Sequence, residues 1–247
     1  MMSSRFLPLS FVAAVLFLFS CNGNKETTST DKMSSDSTTT TTATTEPVTS
    51  STIITTPQSM LVVTHKVNNF TKWKVSYDAH DSMRLASGIH NYVIGRGVKD
   101  SNTLLVAVKV DDMAKAKAFA KDPSLKAAMQ KGGVTGTPSF EFVTMTFQDT
   151  AVITSSLRSR TTFAVKDWNA WQKSFEEGKQ LRMDNGLIVR AFGHDADDNN
   201  KVTVVTAVMD SAKASAYWKS DTLKKRREAS GVIGEPKRFV YRVVQRY

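Results

Sequence analysis

Apolar and polar residues alternate with a period of two along several short stretches of this chain, which is the pattern of half-buried β-strands. Between them lie longer stretches that begin at Asn, Asp or Pro and end near Gly, as helices do. The pattern predicts strands at 60–67, 90–98, 103–110 and 139–147, and helices from 68 or 69 to about 86, from 112 to about 120, and at 123–131. A second set follows, with strands at 158–165, 187–194, 201–208 and 238–245 and helices at 167–184 and 211–229.

The second set repeats the first at a shift of 98 residues without a gap, so that Trp171 falls on Trp73 and Arg182 on Arg84. Even a glycine-rich run is kept, since Gly133-Val134-x-Gly136-x-Pro138 returns as Gly231-Val232-x-Gly234-x-Pro236. A period near 100 exceeds the roughly 20–50 residues of a solenoid unit. The chain therefore contains a duplicated small domain, which we assign to residues 60–149 and 150–247.

Each repeat has the element order βαββαβ, which is the ferredoxin-like arrangement. The strand at 103–110 is apolar on both of its faces, because one face carries Leu104 and Val106 and the other Leu105 and Ala107. The matching strand at 201–208 repeats this with Val205 and Ala207. A half-solvated antiparallel sheet would be polar on one face. We therefore expect the two repeats to cover one another, sheet against sheet.

Paired ferredoxin-like units of this kind resemble the dimeric α+β barrel group, which includes antibiotic biosynthesis monooxygenase-like and small cyclase-like proteins. The resemblance covers both repeats and depends on the element order, on Phe70-x-x-Trp73, on the acidic turn before the third strand and on the Gly-Val-x-Gly-x-Pro run. It implies an α+β fold in which two ferredoxin-like βαββαβ repeats form an intramolecular dimeric α+β barrel. It also implies a pocket in each half between helices and sheet. Members of the group include cofactor-free oxygenases, haem degraders, chlorite dismutases and proteins without known catalysis.

The amino terminus has the pattern of an export signal. Arg5 precedes an apolar stretch at 6–19, which is shorter than the roughly 20 residues of a membrane-spanning helix. The stretch ends in Leu18-Phe19-Ser20-Cys21, which resembles a bacterial lipobox. The resemblance implies a signal peptide at 1–20 and acylation of Cys21, for instance by palmitate, which would anchor the chain to a membrane. The alternative is an ordinary signal peptide that precedes a cysteine by chance.

Threonine and serine dominate residues 21–59, which predicts a disordered tether with a reach of about 30–40 Å. Lys25-Glu26 and Asp36-Ser37-Thr38 resemble the surface-export and O-glycosylation signals of Bacteroidetes lipoproteins. We therefore expect a lipid-anchored protein of the bacterial cell envelope, at the outer membrane. Whether it faces the periplasm or the cell surface stays open.

The first helix of each repeat carries a stripe of aromatic and basic residues. The stripes comprise Trp73, Tyr77, His80 and Arg84 in the first repeat and Trp171, Phe175 and Arg182 in the second. The tryptophans are interpreted as core anchors and the arginines as caps for carbonyl groups near the helix ends. The alternative is that each arginine holds an anionic ligand at the mouth of a pocket.

Histidine is the side chain whose ordinary pKa suits acid–base chemistry near neutral pH. His65 lies on a strand row that faces the expected helix-covered cavity, but its counterpart in the second repeat is Phe163. No histidine is kept in both repeats, which places any catalytic pocket in the first, with His65 and His80 as candidate bases. The candidate ligand-binding residues are His65, Trp73, Tyr77, His80, Arg84, His90, Trp171, Phe175 and Arg182.

The formal net charge is +10, and residues 224–227 form the densest basic run, Lys-Lys-Arg-Arg. No aromatic stacking platform accompanies this run, and an exported protein meets little nucleic acid, so nucleic-acid binding is not expected. The run is interpreted as a solvated helix face, with attraction to anionic lipid or lipopolysaccharide as the alternative.

These patterns favour a lipid-anchored envelope protein that binds a small, mostly apolar, anionic or neutral molecule in a helix–sheet pocket. A cofactor-independent monooxygenase- or cyclase-like enzyme and a non-catalytic interaction module stay open as alternatives. We expect a monomer with an internal pseudo-dimer. No cofactor is expected, and no metal, because histidines and carboxylates lack ligand spacing.

Overall fold

The computed structural model describes residues 51–247, which leaves the predicted signal peptide, Cys21 and most of the tether outside the described residues. The strands of this part of the chain are β1 (Ile53–Ile54), β2 (Gln58–Val67), β3 (Ile89–Gly97), β4 (Thr103–Val110), β5 (Val134–Asp149), β6 (Leu157–Val165), β7 (Leu187–Asp195), β8 (Lys201–Val208) and β9 (Val232–Arg246). Its helices are α1 (Phe70–Ala79), α2 (Asp81–Ala86), α3 (Met113–Phe119), α4 (Pro123–Lys131), α5 (Trp168–Glu177), α6 (Lys179–Asp184), α7 (Ser211–Trp218) and α8 (Asp221–Ala229).

Eight of these strands close into one barrel. Within each repeat the strand order is that of a ferredoxin-like sheet, β5-β2-β4-β3 and β9-β6-β8-β7. The two sheets are then joined edge to edge, because β3 pairs with β9 and β5 pairs with β7, both antiparallel. This confirms the predicted fold class, in which the two repeats of one chain supply both halves of a dimeric α+β barrel.

The joins depend on the length of β5 and β9, which have 16 and 15 residues. The sequence predicted a shorter last strand at 139–147 in the first repeat, after a helix that was expected to end at Gly132-Gly133. Gly136 has φ +68°, and the pairing with β2 shifts register between Thr64 and Lys66. The glycine therefore forms a bulge within a continuous strand rather than ending it. The extra length lets β5 pair with β2 along one stretch and with β7 along the next.

The predicted long helices are each broken once. In the first repeat the break is at His80, between α1 and α2, and in the second it is at Gly178, between α5 and α6. The predicted helix at 211–229 is also broken, and Ser220 begins α8 by accepting a hydrogen bond from the backbone N–H of Leu223 at 3.2 Å. Asn69 caps α1 in the same way, through Lys72.

The helices cover the outer face of the barrel, and the inner face encloses a second core. Leu61 and Val63 of β2 pack beneath the helices with Trp73, whereas Met60 and Val62 face the barrel interior with Tyr241 of the other repeat. This alternation explains why both faces of the central strands are apolar.

The sheet begins at Ile53, within the tether that was predicted to extend to residue 59. Ile53 and Ile54 pair with Asp149 and Gln148 at the end of β5, so these residues are part of the sheet. The long β5 offers backbone groups beyond its partner β2, and the short β1 satisfies them. Within residues 51–247, no helix is long and apolar enough to cross a membrane.

Candidate functional site

Each repeat encloses a cavity between its helices and the outer face of the barrel. The first cavity has a volume of about 80 Å³ and the second about 110 Å³. They occupy the same place in the two repeats, because most lining residues match at the 98-residue shift, including Trp73 with Trp171 and Tyr77 with Phe175. The duplication has therefore produced two equivalent cavities whose side chains differ.

His65 is the most unusual residue of the first cavity. Its side chain is 5% exposed, and neither ring nitrogen has a hydrogen-bond partner among the described residues. Its ring lies 5.4 Å from that of Trp73. Burial lowers the pKa of His65 from its ordinary value to about 4, because the charged form loses its hydration. The imidazole is consequently neutral at physiological pH, with one donor and one acceptor free.

The structure also brings Trp73, Tyr77, His80 and Arg84 to the first cavity. Tyr77 stacks on Trp73 at 4.9 Å and donates its hydroxyl hydrogen to Asn91 Oδ1 at 2.5 Å. Burial raises the pKa of Tyr77, so its hydroxyl stays protonated. His80 places Nδ1 2.6 Å from the carbonyl oxygen of Ser76. The polar groups of α1 are thus largely satisfied within the protein, unlike those of His65.

The two matched arginines bond to the ends of the first helices. Arg84 donates from Nη1 to the carbonyl oxygen of Tyr77 at 2.7 Å, and Arg182 donates from Nη1 to that of Phe175 at 2.5 Å. Each guanidinium also lies over the ring of the same aromatic residue, at 3.7 and 3.8 Å from its centre. These contacts stabilise the break between α1 and α2 and that between α5 and α6, which explains why an arginine occurs at this position in both repeats.

His90, a predicted ligand-binding residue, lies outside the cavity. It is exposed, and its Nε2 lies 2.7 Å from Oδ2 of Asp111. The neighbouring Ile89 faces the cavity instead, because successive side chains of a strand point to opposite faces.

The second cavity combines an aromatic interior with a basic rim. Trp171 and Phe175 line it as the sequence predicted, together with Phe163 in the place of His65. The rim contains Arg182, Arg226, Arg227 and Arg238. The solvated face predicted at 224–227 is present at the exposed Lys224 and Lys225 but not at the two half-buried arginines.

A set of buried arginines inside the barrel was missed by the sequence analysis. Arg160 donates to both carboxylate oxygens of Glu141, at 2.9 and 2.7 Å, and Arg190 donates to Asp149 at 2.7 Å. Arg158 donates only to backbone carbonyl oxygens, and burial lowers its pKa to about 10. Alternation along β6 places Arg158 and Arg160 on the inner face, and Arg190 reaches the same interior from β7. Among residues 51–247, no three His, Cys, Asp or Glu side chains are grouped as metal ligands would be.

No family model matches this sequence, and a search of curated proteins finds no match. Solved structures do match. A candidate monooxygenase of Fusobacterium nucleatum is 14% identical, with a TM-score of 0.52 over 76% of this chain and 93% of that one. An anthrone oxidase-like protein is 15% identical, with a TM-score of 0.49 over 78% of this chain and 94% of the other.

These likenesses concern the fold. The chain has the architecture of the dimeric α+β barrel proteins, in which two ferredoxin-like sheets form one closed barrel. The activity of any neighbour is a property of that neighbour.

Proposed function

We propose that this protein binds a small, mostly apolar molecule in the first cavity. The observation that carries the proposal is His65, a neutral imidazole buried among apolar side chains with both nitrogens unpaired. A buried polar group without a partner costs about 1–3 kcal/mol. A ligand that bears a hydroxyl or carbonyl group would supply the missing hydrogen bond, and Trp73 would pack against its apolar part.

The size of the cavity limits the ligand. Its volume of about 80 Å³ is below the roughly 150 Å³ of an engineered apolar cavity that takes benzene. A single ring or a short branched chain therefore requires a small movement of the flexible Met129 or of Leu125, which line the cavity. Ligand pockets typically combine such an apolar lining with a few polar groups that fix orientation.

Native mass spectrometry of the protein purified from its own host tests for a retained ligand. We expect an added mass that is lost in His65→Phe, a variant that places the residue of the second repeat at this position. Phenol and toluene serve as defined probes, because only phenol can hydrogen-bond to His65. Phenol binding that His65→Phe leaves unchanged, together with no retained mass, would contradict the proposal.

An enzyme is the second candidate, and the same imidazole is the observation in its favour. His65 could accept a proton from a bound substrate in a cavity with little water. A conjugate acid with a pKa of about 4 makes a weak base, however, so binding is better supported than proton abstraction. Oxygen consumption with phenolic substrates tests this alternative, and equal turnover in the wild type, His65→Ala and His80→Ala would refute a catalytic role for either histidine.

The cellular setting is part of the same proposal. We infer from Leu18-Phe19-Ser20-Cys21 that the mature protein is anchored to the envelope membrane through acylated Cys21. Replacement of Cys21 by Ser should move the protein from the membrane fraction to the soluble fraction in its host. Persistence of Cys21→Ser in the membrane fraction would refute anchoring at this residue.

A further inference from the structure

The rim of the second cavity brings four guanidinium groups together. Arg182 is on α6, Arg226 and Arg227 are on α8, and Arg238 is on β9. A Cβ atom placed on Gly178 would lie 2.6 Å from Nη2 of Arg226 and 3.0 Å from Nη1 of Arg182, so these two groups are neighbours. The absence of a side chain at Gly178 leaves the room that Arg226 occupies.

These cations have no carboxylate partner at bonding distance. The arginine ion pairs within residues 51–247 are Arg84–Asp81, Arg160–Glu141 and Arg190–Asp149, none of which includes the rim. Glu235 acts on Arg227 only from beyond 4 Å. Arg226 donates to the carbonyl oxygen of Ser174 at 3.3 Å, and a buried Nε–H lacks a partner in both Arg182 and Arg238.

The electrostatics of the rim are those of an incomplete site. Burial lowers the pKa of Arg182 and of Arg238 to about 10, and the neighbouring cations Arg226 and Arg227 add to these shifts. Half-buried like charges without a counter-ion are unfavourable, so the arrangement would be stabilised by an anion between them.

The first cavity shows that the fold does not need these charges. At the 98-residue shift, Ala128, Met129 and Phe140 stand where the second cavity has Arg226, Arg227 and Arg238. Matched helices and strands of the two repeats enclose both cavities. The three arginines therefore distinguish the second cavity chemically and are not required to form it.

We propose that the second cavity binds a small amphipathic anion, a carboxylate or phosphate monoester that carries a ring or a short apolar chain. Arg226, Arg227 and Arg238 would hold the anionic group, since guanidinium matches both headgroups in geometry and charge. The apolar part would lie against Phe163 and Trp171, which stack edge to face at 5.5 Å. This site is separate from the first cavity and takes a different class of ligand.

Isothermal titration of the full-length protein with three matched probes tests the proposal. Benzoate and phenyl phosphate carry the two candidate headgroups, and benzyl alcohol is the neutral control. We expect at least one anion to bind roughly ten-fold or more tighter than benzyl alcohol. The stronger of the two anions identifies the headgroup. Equal affinity for all three probes in the wild-type protein would overturn the proposal without any variant.

Variants then locate the site. Arg226→Ala, Arg227→Met and Arg238→Phe together give the second cavity the lining of the first, and we expect the preference for the anion to be lost. The control, Lys219→Gln with Lys224→Gln and Lys225→Gln, removes three exposed charges from the same region and should leave affinity unchanged. An equal loss in both triple variants would overturn the site in favour of general electrostatic attraction.

The single variant Arg226→Ala, checked by circular dichroism, replaces the triple variant if that variant does not fold. His65→Phe should leave anion binding unchanged, because His65 lies in the first cavity. Loss of anion binding in His65→Phe would assign the anion to the first cavity and overturn the present proposal, while the phenol result tests the proposed function separately.

Discussion

Single residues carry most of the difference between the two halves of this protein. His65 and Phe163 occupy the same position on matched strands, and each contacts the tryptophan of its own first helix, at 5.4 and 5.5 Å between ring centres. The exchange of His65 for Phe163 replaces a polar lining residue of the first cavity by an apolar one in the second. Function in a duplicated fold can therefore diverge by a few substitutions that the shared backbone accommodates.

Burial of His65 makes stability depend on pH. The folded pKa is about 4 against 6.5 for the ordinary residue, so the unfolded chain binds the proton more tightly. The contribution of His65 is fully present above pH 6.5 and is lost as the pH falls toward 4, by about 3 kcal/mol in total. Urea titrations at pH 7 and pH 4 should show a smaller loss for His65→Phe than for the wild type. Identical losses would show that His65 is hydrated or already paired.

Secondary-structure elements decide where the halves join. The glycines Gly95 and Gly193 match at the 98-residue shift, and each lies in a strand at a join, β3 with β9 and β7 with β5. A Cβ atom on Gly193 would lie 2.0 Å from the carbonyl oxygen of Thr144, and one on Gly95 would lie 2.2 Å from the ring of Tyr241. Neither join tolerates a larger residue without moving its partner.

Gly193→Ala should destabilise the fold by about 2–4 kcal/mol, because the added methyl group meets backbone that cannot move aside alone. Gly136→Ala is the control. Its positive φ costs about 1–2 kcal/mol, but no atom lies within 4 Å of the added carbon. Chemical denaturation of both variants gives the comparison, and a smaller effect at Gly193 than at Gly136 would contradict the tight join.

The two repeats form one barrel rather than two domains in contact. Both joins are made by main-chain hydrogen bonds, and the inner core mixes Met60 and Leu105 of the first repeat with Tyr241 of the second. Separation of the repeats would expose two strand edges and that core to water together.

The repeats should therefore unfold in a single transition. Differential scanning calorimetry is expected to give one peak whose calorimetric enthalpy equals the van't Hoff enthalpy. Two separated peaks would show that each repeat is stable without the other.

A monomer is the expected state in solution. The edge strands of the two sheets, β3 and β5 in the first repeat and β7 and β9 in the second, pair with one another within this chain. Sedimentation velocity measures the mass directly, and a dimer that persists on dilution would show that further surfaces associate.

The sequence by itself determined the duplication and the βαββαβ order, and the resemblance to dimeric α+β barrels implied one barrel. The structure decided that the two halves of the same chain close it, through the β3–β9 and β5–β7 pairs. Strand alternation and the gap-free shift are both visible in the sequence without coordinates. The sequence also indicated that His65 faces the helices, because His65 lies on the same side of its strand as the apolar Val63 and Val67. The helix breaks at His80 and Gly178 were not predicted. At each break an arginine on the following helix bonds to a carbonyl oxygen seven residues earlier.

Only the tertiary structure decided which basic residues belong to a cavity. Helix α8 has one large aliphatic residue, Leu223, so its sequence gives little indication of which face is buried. Packing on β9 turns Arg226 and Arg227 toward Arg238 and leaves Lys224 and Lys225 in solvent. The physical reason is that the neighbours of a charged helix decide which of its faces is buried. Arginines from α6, α8 and β9 line one cavity only because the sheet brings these elements together.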